Sequence, residues 1–142
     1  MLSAAELAYF AGLVDGEGSI YLRKGERGNL QMRLQMVNTN ELLIDWVQIR
    51  FGGRKYLVER VTRANHKPLY HWHLPSQSAV EVLRSITPYL VAKRAQADLA
   101  IYAWEHREAT PIALRREPIP GDVVERRAGF VSEMRRLNKK GA

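Results

Sequence analysis

Apolar residues in the first part of the chain keep helical time and then abruptly alternate. Leu7, Phe10, Ala11 and Val14 recur on one helical face, and Ser3 followed by Glu6 has capping-box spacing, so the pattern predicts a first helix from about Ala4 to Gly16. Its other side is nearly smooth: Ala4, Ala8 and Gly12 step by four and leave a strip where another helix backbone can come close. After Gly18 the period drops to two. Ile20 and Leu22 alternate with Ser19, Tyr21 and Arg23. Beyond a turn from Gly25 to Asn29, Leu30, Met32, Leu34 and Met36 alternate with Gln31, Arg33 and Gln35, which predicts a hairpin. Asn38 or Asn40 caps a second helix carrying Leu42, Leu43, Trp46 and Ile49, which stops at Gly52-Gly53. A second strand pair follows, Arg54 to Arg60 and Leu69 to Leu74, flanking a basic loop with Arg63, Asn65, His66 and Lys67. A third helix begins near Ser76 to Ser78, carries Val80, Leu83 and Ile86, and breaks before Pro88. Tyr89 to Glu105 reads as a long fourth helix, and a last one near Asp122 to Leu137 follows an irregular stretch marked by Pro111, Pro118, Pro120 and Gly121.

The order is α-β-β-α-β-β-α-α, which predicts an α+β fold with an antiparallel sheet covered by helices on one face. No linker divides it, so residues 1–142 are expected to form a single domain with a basic C-terminal helical extension from about residue 110. From Thr110 onward the chain holds eight basic and four acidic residues.

Charge narrows the class of partner. A formal charge of +7 on an otherwise ordinary globular composition, 46% apolar, points to a polyanion, nucleic acid first. Cysteine is absent, which excludes disulfides, thiolate catalysis and cysteine-zinc sites. With no membrane-length apolar run and no signal-peptide pattern, the expected location is the cytoplasm, nucleoid-associated or phage-encoded if bacterial.

The stretch Phe10-Ala11-Gly12-Leu13-Val14-Asp15-Gly16-Glu17-Gly18 carries the chemistry. Carboxylates beside the negative end of a helix dipole are disfavoured by up to about 1 kcal/mol each, so two of them there need a cap, a cation or a packing role. The stretch resembles the motif of the LAGLIDADG homing endonucleases, matching at Ala11, Gly12, Leu13, Asp15 and Gly18 with conservative Phe10, Val14 and Glu17. A second segment, Pro88-Tyr89-Leu90 followed by Lys93, Gln96, Ala97 and Leu99, is similar to the part of that family that carries a basic active-site residue. The ending from Leu137 to Gly141 looks like those of phage and bacterial members.

The resemblance implies a homodimer in which the small-residue faces of two first helices pack together, with Ala4, Ala8, Ala11 and Gly12 at the interface. It implies a magnesium or manganese ion held by Glu17 and the Gly16 carbonyl, oxygen donors that suit a hard cation. Glu17 stands where the commonest pattern has aspartate, keeping the charge and lengthening the reach. Asp15 is read two ways, as a metal-site acid or as a hydrogen-bonded structural acid at the helix end. By the same resemblance Lys93, on the fourth helix, edges the active site. Gln35, at the end of the second strand on its polar face, orients water or reads a base.

A two-stranded ribbon fits the major groove, and long polar side chains on its outer face reach base edges. Tyr21, Arg23, Asn29, Gln31 and Arg33 are the leading candidates; Arg54, Tyr56, Arg60, Arg63, His71 and His73 are candidates on the second pair, where the facing of the third strand is ambiguous. His71 and His73 lack a third ligand at metal-site spacing, so DNA contact or solvent exposure is the better reading. Trp46, Trp72 and Trp104 read as packing residues, and the paired C-terminal arginines and lysines as phosphate contacts or a solvated helix face.

The expected function is a sequence-specific endonuclease that makes a metal-dependent double-strand cut in a long pseudo-palindromic site; the family resemblance implies short 3′ overhangs. The rival is a non-cleaving nucleic-acid-binding protein on the same fold, an intron-RNA maturase or a DNA-binding regulator.

Overall fold

The computed structural model describes residues 1–25, 28–58, 67–107 and 120–140. Helix α1 spans Ala4–Glu17, β1 Gly18–Lys24, β2 Leu30–Asn38, α2 Glu41–Phe51, β3 Arg54–Val58, β4 Leu69–Pro75, α3 Ser76–Ile86, α4 Arg94–Glu105 and α5 Gly121–Lys140. The strands form one antiparallel sheet in the order β1-β2-β4-β3, with helices on one face. The fold class is the expected α+β arrangement. Among the described residues no helix is long and apolar enough to cross a membrane.

Local chemistry starts each element. The Ser3–Glu6 capping box closes at 3.1 Å in both directions, satisfying two amide donors at the head of α1. The Asn40 side chain caps α2 by accepting the Leu42 amide at 3.0 Å, while Asn38 Oδ1 accepts the Asn40 amide at 2.7 Å. In the first hairpin the Gly25 amide donates to the Asn29 carbonyl at 2.8 Å and the Gly28 amide to the Gly25 carbonyl at 2.9 Å, which closes the expected turn.

Alternation sorts the sheet into two faces. Ile20, Leu22, Leu30, Met32, Leu34, Met36, Trp72 and Leu74 point inward and are at most 5% exposed. They pack against Phe10, Ala11 and Val14 of α1, Ile44 and Val47 of α2, Val80, Leu83 and Ile86 of α3, the alanine face of α4, and Val131 and Met134 of α5. Phe10 stacks on Phe51 at 4.1 Å and meets Trp72 edge-on at 5.7 Å. Trp72 is fully buried because its ring nitrogen has a partner, the Gly52 carbonyl at 2.7 Å. Trp46 and Trp104 are half-buried against the helices, each under an arginine.

The expected long fourth helix is shorter at its head. Thr87–Tyr89 forms a single 3₁₀ turn, Leu90 is extended and 3% exposed, and α4 begins only at Arg94. The amides of Val91 and Lys93 donate instead to the Asp15 carboxylate, a contact between residues far apart in sequence that helical periodicity does not reveal.

No residue separates α1 from β1. Gly18 is already extended at φ −86° and ψ 165°, its amide still donating to the Val14 carbonyl. A Cβ there would lie 2.8 Å from Val14 Cα and 2.9 Å from its carbonyl oxygen, so only glycine lets the strand leave the helix this closely. Gly18→Ala is therefore expected to destabilise the fold by about 1–3 kcal/mol through overpacking against backbone, read as a lower urea midpoint at unchanged slope.

Candidate active site and nucleic-acid interface

Two contacts gather at the end of α1, one from the segment before α4 to Asp15 and one from the end of β2 to Glu17. The Asp15 carboxylate accepts the amides of Val91 and Lys93, both at 2.9 Å. The Lys93 ammonium in turn donates to the Asp15 carbonyl oxygen at 2.7 Å. This cation faces one of the helix-terminal carbonyls that lack an intrahelical partner, where positive charge is favoured. Two charge-assisted bonds, each worth about 1.5 kcal/mol or more, outweigh the dipole cost of placing the Asp15 carboxylate there, at most about 1 kcal/mol. Lys93 thus sits just before α4, not on it.

Glu17, the last residue of α1, is exposed, and its Oε2 accepts a hydrogen bond from the Asn38 side chain at the end of β2. The sequence pattern marked Asn38 only as a possible helix cap; the register Gly18 with Met36 brings the end of β2 back to the helix tip. Gln35, named from sequence at this place, lies inside β2 instead, opposite Ser19 on one side and His73 on the other. Gly16 is exposed beside Glu17 and its carbonyl belongs to the last turn of the helix. Among the described residues no group of three or more His, Asp or Glu side chains converges as a metal site. At the α1 tip, among the described residues, Glu17 is the exposed carboxylate, with carbonyl oxygens of the last helical turn beside it, a hard donor set suited to magnesium or manganese once further oxygens come from elsewhere.

The second feature is the outer face of the sheet. Strand pairing settles the ambiguous third strand: Arg54 lies opposite His73 and Tyr56 opposite His71, so both face outward with the histidines. Tyr21, Arg23, Gln31, Arg33 and Gln35 share that face through the β1–β2 and β2–β4 registers. Asn29 is exposed in the turn. Arg60 and Arg63 lie outside the described residues. No described outward strand position carries an acid, whereas Arg23, Arg33 and Arg54 all do carry positive charge. Arg23 Nε donates to Gln31 Oε1 at 2.8 Å, which orients both polar heads together. Tyr56 stacks on His71 at 5.1 Å and meets His73 edge-on at 5.8 Å.

The smooth strip of α1 is also resolved. Ala4, Ala8 and Gly12 are exposed, as expected, but Ala11 is 0% exposed and packs into the core beside Phe10. Its one-residue offset from Gly12 turns it about 100° around the helix, away from any surface strip.

Comparison with known proteins places this geometry. No family model and no curated protein matches the chain. Solved structures do. The homing endonuclease I-CvuI, in complex with DNA, superposes with a TM-score of 0.67 at 19% identity over 94% of this chain and 82% of that one. The archaeal intron-encoded homing endonuclease I-Vdi141I, complexed with DNA, gives a TM-score of 0.67 at 14% identity over 94% and 84%. The LAGLIDADG meganuclease I-AabMI, bound to uncleaved DNA, gives 0.55 at 17% identity over 70% of this chain and 35% of its own. The chain has the fold of the LAGLIDADG homing endonucleases.

His73 gives the outer face a measurable signature. Burial, then the charges of Arg33, Arg54 and His71, hold its imidazole below the usual value of 6.5. As pH falls below that value the unfolded chain takes up this proton before the native chain does. The stability contribution is therefore present above pH 6.5 and is lost as pH falls through the lower native value. An NMR titration should find the His73 midpoint below 6.5 and should find it moved upward in Arg54→Gln; an unmoved midpoint would remove Arg54 from the cause.

Proposed function

We propose that the protein is a divalent-metal-dependent DNA endonuclease that works as a homodimer and cuts both strands of a long, nearly palindromic site. The observation that carries the reading is the convergence at the α1 tip of Glu17, Asn38 and Lys93, beside a sheet face that is basic and free of acids among its described positions. The solved structures of similar fold support it: I-CvuI was captured on DNA in the presence of magnesium and, on its own target, of calcium.

In this reading Glu17 and the Gly16 carbonyl hold the cation. Held there, a divalent ion would supply activation of a water nucleophile and neutralisation of charge on the scissile phosphate. Asn38 fixes the direction of the Glu17 carboxylate, leaving its other oxygen for the ion. Asp15 is a positioning residue that holds the segment before α4 against the helix tip. Lys93 brings a positive charge next to where charge develops on the phosphate. The outer sheet face lies in the major groove. Arg23 and Arg33 suit guanine, and Gln31 suits adenine, each bidentate pair contributing about 1–3 kcal/mol of discrimination. Asn29, Arg54, Tyr56, His71 and His73 extend that surface.

Each α1 tip offers one exposed carboxylate, Glu17, for one strand, and a second copy brings another for the second strand. Ala4, Ala8 and Gly12 offer the strip on which two α1 helices approach, and a Cβ at Gly12 meets nothing within 4 Å in its own chain.

Cleavage selection from a randomised duplex library with magnesium tests the activity and recovers the target. Glu17→Gln should lower cleavage of that target by about 100-fold or more while leaving its Kd nearly unchanged; cutting at the wild-type rate overturns the assignment, and binding without metal-dependent cutting by the wild type favours a regulator or maturase. Lys93→Ala should lower the single-turnover rate by about tenfold or more with little change in Kd, whereas a pure affinity loss makes Lys93 a DNA contact. Gly12→Leu should leave the subunit folded and monomeric by sedimentation; a persistent dimer places the interface elsewhere.

A further inference from the structure

Half of the first hairpin overhangs the sheet. β2 pairs with β4 only from Arg33 to Asn38, so Leu22–Lys24 and Leu30–Met32 pair, among the described strands, only with each other. β1 is the edge strand over its whole length. A two-stranded ribbon is marginally stable alone, yet this overhang bears Arg23, Asn29 and Gln31.

Helix α5 is fastened to the hairpin at both ends. Arg127, 3% exposed, donates through Nη1 to the Gly28 carbonyl in the turn at 2.9 Å. Its Nε and Nη2 donate to the Arg107 carbonyl, just past the end of α4, at 3.1 and 3.0 Å. At the other end Asn138 Nδ2 donates to the Ile20 carbonyl of β1 at 3.0 Å. Arg127, on the N-terminal side of α5, meets the turn that follows β1, and Asn138, on the C-terminal side, meets Ile20 near the start of β1, so α5 runs antiparallel to β1. Val131 and Met134, between them, are buried in the core.

We infer that α5 is a splint: by holding the Gly28 carbonyl and the Ile20 carbonyl it sets the pitch of the overhanging hairpin, and so fixes base preference at the outer positions of the site. The specificity half rests on the DNA-binding function proposed above. Arg127 acts through the backbone it holds and is a positioning residue. Its planar fork bridges two carbonyls at once, which a lysine ammonium on a flexible stem does not reproduce.

Amide hydrogen exchange tests the splint without DNA. In Arg127→Lys and Arg127→Met the Gly25 and Gly28 amides should exchange about tenfold faster or more, while the Val47 amide in α2 keeps its protection. If Arg127→Met does not fold, Asn138→Ala loosens the other fastening and should speed exchange in β1. Unchanged hairpin exchange in the folded variants overturns the splint. Library selection then reads specificity: the variants should lose preference at outer base pairs and keep it at central ones. Faster exchange with unchanged outer preference, or a uniform loss at all positions, overturns the specificity role. A wild-type protein that selects no DNA overturns the proposed function and the specificity role together, leaving exchange to decide the splint.

Discussion

The arrangement at the α1 tip depends on where one carboxylate puts its hydrogen bonds. Asp15 sits at the helix end that least favours negative charge, and it is held there by two backbone amides from a segment far along the chain. That contact stops α4 from starting at Tyr89, bends Leu90 into the core, and turns Lys93 back onto the Asp15 carbonyl. The buried-side acid and the exposed acid of the motif are thereby separated. Asp15 is engaged inward by protein donors; Glu17, two residues on, is exposed and receives one side chain from Asn38.

A second constraint is the joint at Gly18. Because the strand leaves the helix without a linker, the motif that ends α1 and the face that alternates along β1 are mechanically one piece. The inner residues of the sheet bind that piece to the helices. The outer residues are left as a face that carries Arg23, Arg33 and Arg54 and, among its described positions, no acid.

Much of this was legible along the chain. The capping box, the hairpin with its turn, the glycine stop of α2 and the outward set Tyr21, Arg23, Gln31 and Arg33 follow from period, turn chemistry and cap chemistry, all of them local effects. Asn38 was visible as a cap but not as the partner of Glu17, since only the β1–β2 register returns it to the helix end. The facing of Arg54 and Tyr56 was undetermined because a short edge strand of mixed polarity has no clean alternation; pairing with His73 and His71 decides it. Ala11 shows the limit of composition as a guide: a small residue suits a helix interface and a tight core equally well, and here it lies in the core.

The sequence by itself determined the element order, the two-sided sheet and the charge of its outer face, because each depends on spacing within a few residues. Tertiary structure alone decided which distant groups meet: Asp15 with the segment before α4, Asn38 with Glu17, and Arg127 and Asn138 with the hairpin. The physical reason is the same in each case. A backbone carbonyl or amide is a strong hydrogen-bonding group at every residue, so the side chains that seek one carry no signature of which they will find until the chain has packed.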